Sequence, residues 1–142
     1  MLTKEFLMHL SKPRNVGKIK NPTAIGTAEY AGGKCSDKVA LYLKIKRDKI
    51  TNAKFGASAC SGTIVAMSVL TTLLKGANID EAKKIDRSKI VDELVFVPPE
   101  KEHSLELALK ALSNALSSLV DDKAPNSKQI KGADVNYRQV VD

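Results

Sequence analysis

Phe55-Gly56-Ala57-Ser58-Ala59-Cys60-Ser61-Gly62-Thr63-Ile64 is where the chain changes period. Over residues 50–57, Ala53, Phe55 and Ala57 recur at a spacing of two, the mark of a strand. From Ile64 onward, Met67, Leu70 and Leu74 recur at three and four, widened by Ala66 and Leu73, and Gly76 closes what reads as a helix. A strand that runs into a helix with cysteine at the junction puts a thiol beside the positive end of the peptide dipole. Unpaired amide donors there favour the thiolate. Cys60 is therefore a candidate ligand or sulfur acceptor.

Upstream, Val39, Leu41, Leu43 and Ile45 alternate with Lys38, Ala40, Tyr42, Lys44 and Lys46, giving a second half-buried strand. Arg47-Asp48-Lys49 is the turn that joins the two as an antiparallel hairpin. A short strand over 27–30 precedes the Gly32-Gly33 break. Two prolines and two glycines, Gly17 and Gly26, make residues 12–27 a long connection with turns at the glycines. Leu2, Phe6 and Leu10, with Leu7 beside them, predict a helix over 2–11 that Pro13 ends.

Downstream, Asn78 followed three residues later by Glu81 predicts a capped helix running to about Ile85, and 88–94 a further short one. Val95-Phe96-Val97 before Pro98-Pro99 reads as extended. Leu105, Leu109, Leu112, Leu116 and Leu119 form the stripe of a core-facing helix. The pattern stops at Asp121, which divides the chain into a domain of residues 1–120 and a C-terminal tail, 121–142. The fold class expected is α+β: a three-stranded antiparallel sheet packed against helices on one face and solvated on the other.

Composition narrows the function. Aromatic residues make up 4% of the chain and tryptophan is absent, so no stacking platform for single-stranded nucleic acid is visible. No apolar run approaches the roughly 18 residues of a membrane span, and Met1-Leu2-Thr3-Lys4-Glu5 lacks the cationic-then-apolar order of a leader. A cytoplasmic location with both cysteines reduced is expected. The net charge of +7 is concentrated: residues 1–50 hold 11 Lys+Arg against 4 Asp+Glu, while the remainder is balanced. That bias suits an acidic protein surface better than nucleic acid, since no helix-turn-helix or aromatic-basic motif accompanies it.

Four residues with metal-binding chemistry fall at the starts of separate elements: Cys35 with Asp37, Cys60, and His103 at the head of the leucine helix. Thiolate, imidazole and carboxylate together suit zinc or iron, whereas magnesium and calcium prefer oxygen alone. The spacing leaves other readings open: both cysteines as small buried apolar residues, Asp37 as a turn or capping acid. His9, in the first helix, reads as a surface or partly packed histidine.

The chain resembles the IscU-type iron–sulfur cluster assembly scaffolds, also found as the N-terminal domain of NifU. The likeness is carried in order by Pro13-Arg14-Asn15-Val16-Gly17, Cys35-Ser36-Asp37 with Val39, Ala53-Lys54-Phe55, Cys60-Ser61-Gly62-Thr63-Ile64, Lys75-Gly76 with Asp80-Glu81-Ala82, and Pro98-Pro99 with Lys101 and His103, over residues 4–120. The insertion that marks the SufU branch is absent. The resemblance implies a carrier rather than an enzyme. Such a protein receives sulfur from a cysteine desulfurase, binds iron, holds a transient 2Fe-2S cluster and passes it to recipient apo-proteins. It implies Cys35, Asp37, Cys60 and His103 as the cluster and metal site, zinc as an occupant of the cluster-free form, and a monomer or a cluster-bridged homo-oligomer. It also brings a DnaK-type chaperone system into view. Two residues depart from the pattern: Ser104 stands where the family has a third cysteine, and Glu100 interrupts the Pro-Pro-Val-Lys chaperone motif. The alternative is a zinc-binding or desulfurase-binding regulator that lost assembly with the third thiol.

Overall fold

The structure, a computed structural model, describes residues 2–32 and 35–120. Lys34 and the tail 121–142 lie outside the described residues, as does the side chain of Cys35. Helix α1 (Lys4–Ser11) opens the chain, capped by Thr3, whose hydroxyl oxygen accepts the Phe6 amide at 3.0 Å. That hydroxyl also donates to the Leu94 carbonyl at 2.7 Å, and Phe6 is buried beneath. Three strands follow, β1 (Ala24–Gly32), β2 (Cys35–Lys46) and β3 (Lys49–Ser58), antiparallel in the order β1-β2-β3.

The β2–β3 turn is tighter than the three residues expected. Lys46 pairs with Lys49, and Arg47 and Asp48 take φ of 52° and 64°, the signs of a type I′ turn that matches strand twist. Strand β1 is longer than predicted, and Gly26 lies inside it rather than at a turn. A Cβ there would come within 2.1 Å of the Ala111 carbonyl oxygen, so glycine is what lets a helix settle directly on the strand. Gly17, by contrast, does turn the chain, at φ 135°.

The register lines up Ala24, Gly26 and Ala28 with Leu43, Leu41 and Val39, and these with Ala53, Phe55 and Ala57, on one buried face. Tyr30 pairs with Asp37 at the next step. The opposite face is not left solvated as expected. Ile25, Ala40 and Tyr42 form a small second core there, covered by Ile19 from the connection. That connection is pinned along β3 by two backbone bonds, Gly17 N–H to Phe55 O at 2.8 Å and Phe55 N–H to Asn15 O at 2.9 Å.

Helix α2 (Ser61–Leu74) is buried on nearly every side from Gly62 to Thr71, which makes it the centre of the core rather than a one-faced cover. α3 (Ile79–Lys83) carries the predicted capping box, with the Glu81 amide donating to Asn78 Oδ1 at 2.7 Å and the Asn78 amide to Glu81 Oε1 at 2.9 Å. It ends two residues earlier than expected. α4 (Arg87–Leu94) is capped by Asp86. Val95 is not extended: its φ of 72° is costly for a β-branched residue, and its side chain is 63% exposed. A single 3-10 turn (Pro99–Lys101) then leads into α5 (Glu102–Val120), which lies along β1 and against α2.

Candidate metal centre

Three elements deliver the site. Asp37 precedes Val39, Leu41 and Leu43 in the period-two order of β2, so the rule that buries those residues buries a carboxylate at the sheet's end, 2% exposed. Cys60 is the N-cap residue of α2, and its side chain makes no capping bond. Asp37 caps in its place: Oδ1 accepts the Cys60 amide at 3.2 Å. His103 sits in the first turn of α5, stacked on Tyr30 with ring centroids 4.7 Å apart and 25° between planes.

The donor atoms converge. Cys60 Sγ lies 3.3 Å from Asp37 Oδ2 and 3.9 Å from His103 Nε2, and that nitrogen is 3.7 Å from Oδ2. Bonds of about 2.0–2.3 Å at tetrahedral angles separate neighbouring ligand atoms by roughly 3.3–3.8 Å. Separations of 3.3, 3.7 and 3.9 Å therefore put the three atoms close to three corners of one coordination tetrahedron. Among the described residues this is the one group of three such side chains able to hold a metal ion. His103 is 22% exposed and lines, with Tyr30, Glu102 and Leu107, an open groove of about 690 Å³, so the imidazole can be reached from solvent.

Of the four residues picked out in the sequence, the structure brings together Asp37, Cys60 and His103. Cys35 is placed by its backbone alone, two residues before Asp37 at the head of β2 and opposite Gly32. Asp37 is both a capping acid and part of the cluster. His9 is partly packed, its Nδ1 2.7 Å from Ser68 Oγ; burial, and then the Arg14 charge, push its pKa below the usual histidine value.

Two contributors escaped the sequence reading. Tyr30 meets His103 across 73 residues, a contact no local pattern announces. Thr63 stands three residues after Cys60, where a first-turn side chain can face back toward the junction, and that spacing was the available signal. Its hydroxyl is 2.7 Å from Asp37 Oδ2 and 3.0 Å from the hydroxyl of Ser104, which is 1% exposed. Lys101 lies across Gly62 beside this junction. Arg87 of α4 braces the start of α5 through Glu102 and through Glu106, the latter at 2.6 Å.

Comparison with known proteins shows the family. Residues 1–124 match the family described as NifU-like N terminal domain. The chain is 41% identical over 111 residues to the iron-sulfur cluster assembly protein IscU of Plasmodium falciparum, covering 78% of this chain and 68% of that one. It is 34% identical over 116 residues to the iron-sulfur cluster assembly scaffold protein IscU 1 of Archaeoglobus fulgidus, covering 82% and 74%. In fold it is similar to a protein of Fervidobacterium islandicum assigned as a cluster assembly scaffold of the SUF system. That superposition has a TM-score of 0.67 at 21% identity, covering 80% of this chain and 95% of that one. The match over residues 1–124 and the identity to these relatives, together with the shared α+β fold, lead to one conclusion: this protein belongs to the NifU-like N-terminal domain family, alongside proteins named IscU.

Proposed function

We propose that the chain is an iron–sulfur cluster assembly scaffold. It receives sulfur from a cysteine desulfurase, binds iron, carries a transient 2Fe-2S cluster as cargo and passes it to recipient apo-proteins. The observation that carries this is the meeting of Sγ, Oδ2 and Nε2 from the start of α2, from β2 and from α5, all within 4.8 Å of one another. Such a donor set suits iron or zinc, and its spacing suits a single ion, as in the first step of loading. Cys35, at the head of β2, is the candidate to complete it. The cargo is held to be released: a carboxylate oxygen binds iron less strongly than a sulfur would, so a site with Asp37 in place of a thiolate favours transfer. On this reading the protein is a carrier that lowers no barrier of its own, and it works in the cytoplasm, where its thiols stay reduced.

The test is anaerobic reconstitution of the full chain with ferric iron and sulfide. A visible-absorbing species with acid-labile sulfide is expected, lost in Cys60→Ala and in Cys35→Ala; equal spectra in all three proteins would refute the assignment. Ser104 favours one alternative, a zinc-binding or desulfurase-binding regulator, because a hydroxyl cannot carry a persulfide and is a poor ligand for soft metals. Metal analysis after oxygen-free purification separates them: iron with sulfide marks the scaffold, zinc alone the regulator.

The basic first third is the candidate face for the desulfurase, and reversing Lys18, Lys20 and Lys34 is expected to weaken that complex most at low salt. A DnaK-type chaperone would read Pro98-Pro99-Glu100-Lys101, where Pro99 and Glu100 are exposed on the turn before α5.

A further inference from the structure

Thr63 carries one hydroxyl proton and faces two oxygens, Asp37 Oδ2 at 2.7 Å and Ser104 Oγ at 3.0 Å. It cannot donate to both. The shorter contact is to the group that bears negative charge, and charge-assisted bonds are the stronger, so the proton lies toward Asp37. Ser104 must then donate its own proton to Thr63 Oγ1. The result is a directed chain, Ser104 to Thr63 to Asp37, in which each hydroxyl polarises the next.

Burial makes this chain matter. Thr63 is fully buried, Ser104 is 1% exposed and Asp37 2%, so water does not stand in for any of the three. No buried side-chain nitrogen or oxygen is left without a partner among the described residues. The approach of α5 to α2 that allows it depends on Gly62, where a Cβ would lie 2.8 Å from Ser104 Oγ. The Asp37 carboxylate is thereby gripped from two sides, Oδ1 by the Cys60 amide and Oδ2 by Thr63. Held so, Oδ2 stands 3.3 Å from Cys60 Sγ and 3.7 Å from His103 Nε2.

We propose that Thr63 and Ser104 are positioning residues, a hydroxyl pair that holds the Asp37 carboxylate in line for a metal ion shared with Cys60 and His103. This assigns Ser104 a role other than ligand, and it rests on the functional reading above. Groups that orient a ligand from behind typically contribute 10–100-fold to metal affinity. Thr63 is the nearer of the two and contributes more.

The experiment is an anaerobic zinc titration of the full chain against a competing chelator, with cobalt(II) absorption as a second readout. Thr63→Val, close in shape, is expected to weaken zinc binding by roughly 10–100-fold and to alter the cobalt bands. Thr63→Ser, which restores the hydroxyl, is expected to recover most of the loss, and Ser104→Ala to fall between. In an Asp37→Ala background Thr63→Val should cost nothing further, because the group it acts through is gone. An equal loss in that background, or an unchanged affinity in Thr63→Val alone, would overturn the proposal.

If the unaltered chain binds neither zinc nor cobalt, the functional reading fails, and the pair is still tested in the metal-free protein. The Cys60 amide hydrogen, donated to Asp37, should exchange faster with solvent in Thr63→Val and at the original rate in Thr63→Ser. No change in that rate would rule the pair out.

Discussion

The two ends of α2 carry similar side chains and do different things with them. Toward its C-terminal half, Ser68, Thr71 and Thr72 lie one turn apart. Thr71 donates to the Met67 carbonyl at 2.8 Å and Thr72 to the Ser68 carbonyl at 2.9 Å. Ser68 Oγ accepts the Arg14 amide at 2.9 Å, and Asn15 Nδ2 donates to Thr71 at 3.0 Å, so this end anchors the connection that follows α1. At the N-terminal end Thr63 meets a carboxylate from another strand, beside a thiol and an imidazole. Threonine hydroxyls that donate to their own helix can still accept, and here the oxygens of this end are taken up by the connection they hold. A hydroxyl that holds an anion leaves the anion's other lone pairs free for a ligand, and that difference separates a structural network from a chemical one.

The contrast predicts which substitutions touch function, stability or both. Asp37→Ala should have the largest effect. It removes a metal donor and leaves the Cys60 amide and Thr63 hydroxyl without their acceptor, so zinc binding should weaken more than in Thr63→Val, to an affinity that chelator competition still reads, and stability should fall by roughly 1–3 kcal/mol. Calorimetric titration and urea unfolding measure the two separately, and an intact affinity would remove Asp37 from the site. Gly62→Ala comes next: the added methyl collides with Ser104, and forcing it into that contact should cost about 1–3 kcal/mol while weakening metal binding.

Ser68→Ala tests the opposite end. The Arg14 amide loses its acceptor, for a cost of about 1 kcal/mol, with zinc affinity unchanged. A loss of affinity there would show that the two networks are coupled through the helix.

The smallest effect is on pH dependence. Burial, with Arg14 adding to it, holds the His9 pKa below its ordinary value of 6.5, so the unfolded chain binds a proton more readily than the folded one. The contribution of His9 is therefore complete above about pH 6.5 and is lost as pH falls toward the lowered folded value. His9→Gln should flatten that part of the profile of Tm against pH, and an unchanged profile would place the dependence elsewhere.

Much of this was legible in the residues, because periodicity is a local property. The inner faces of β2 and β3, the α5 leucine stripe and the Asn78–Glu81 capping box all appear where spacing places them. What spacing missed depends on contacts across the chain. Gly26 reads as a turn residue until α5 is seen to rest on it, and the sheet's outer face reads as solvated until Ile19 covers it. Tyr30 was invisible as a site residue for the same reason, and Thr63 offered only its three-residue spacing from Cys60.

Residue order alone settled the chemistry on offer: which thiol, imidazole and carboxylate exist, and that each heads a strand or helix, because alternation and helical repeat are set by near neighbours. Whether those groups meet was a matter for tertiary packing. Asp37, Cys60 and His103 are separated by 22 and 42 intervening residues, and only the packing of α2 and α5 side by side on the sheet, α2 against β3 and α5 against β1, brings their donor atoms within one coordination sphere. Ser104 shows the division most plainly. In the sequence it is a missing thiol; in the folded protein it is the far end of a hydrogen-bonded chain that ends on Asp37.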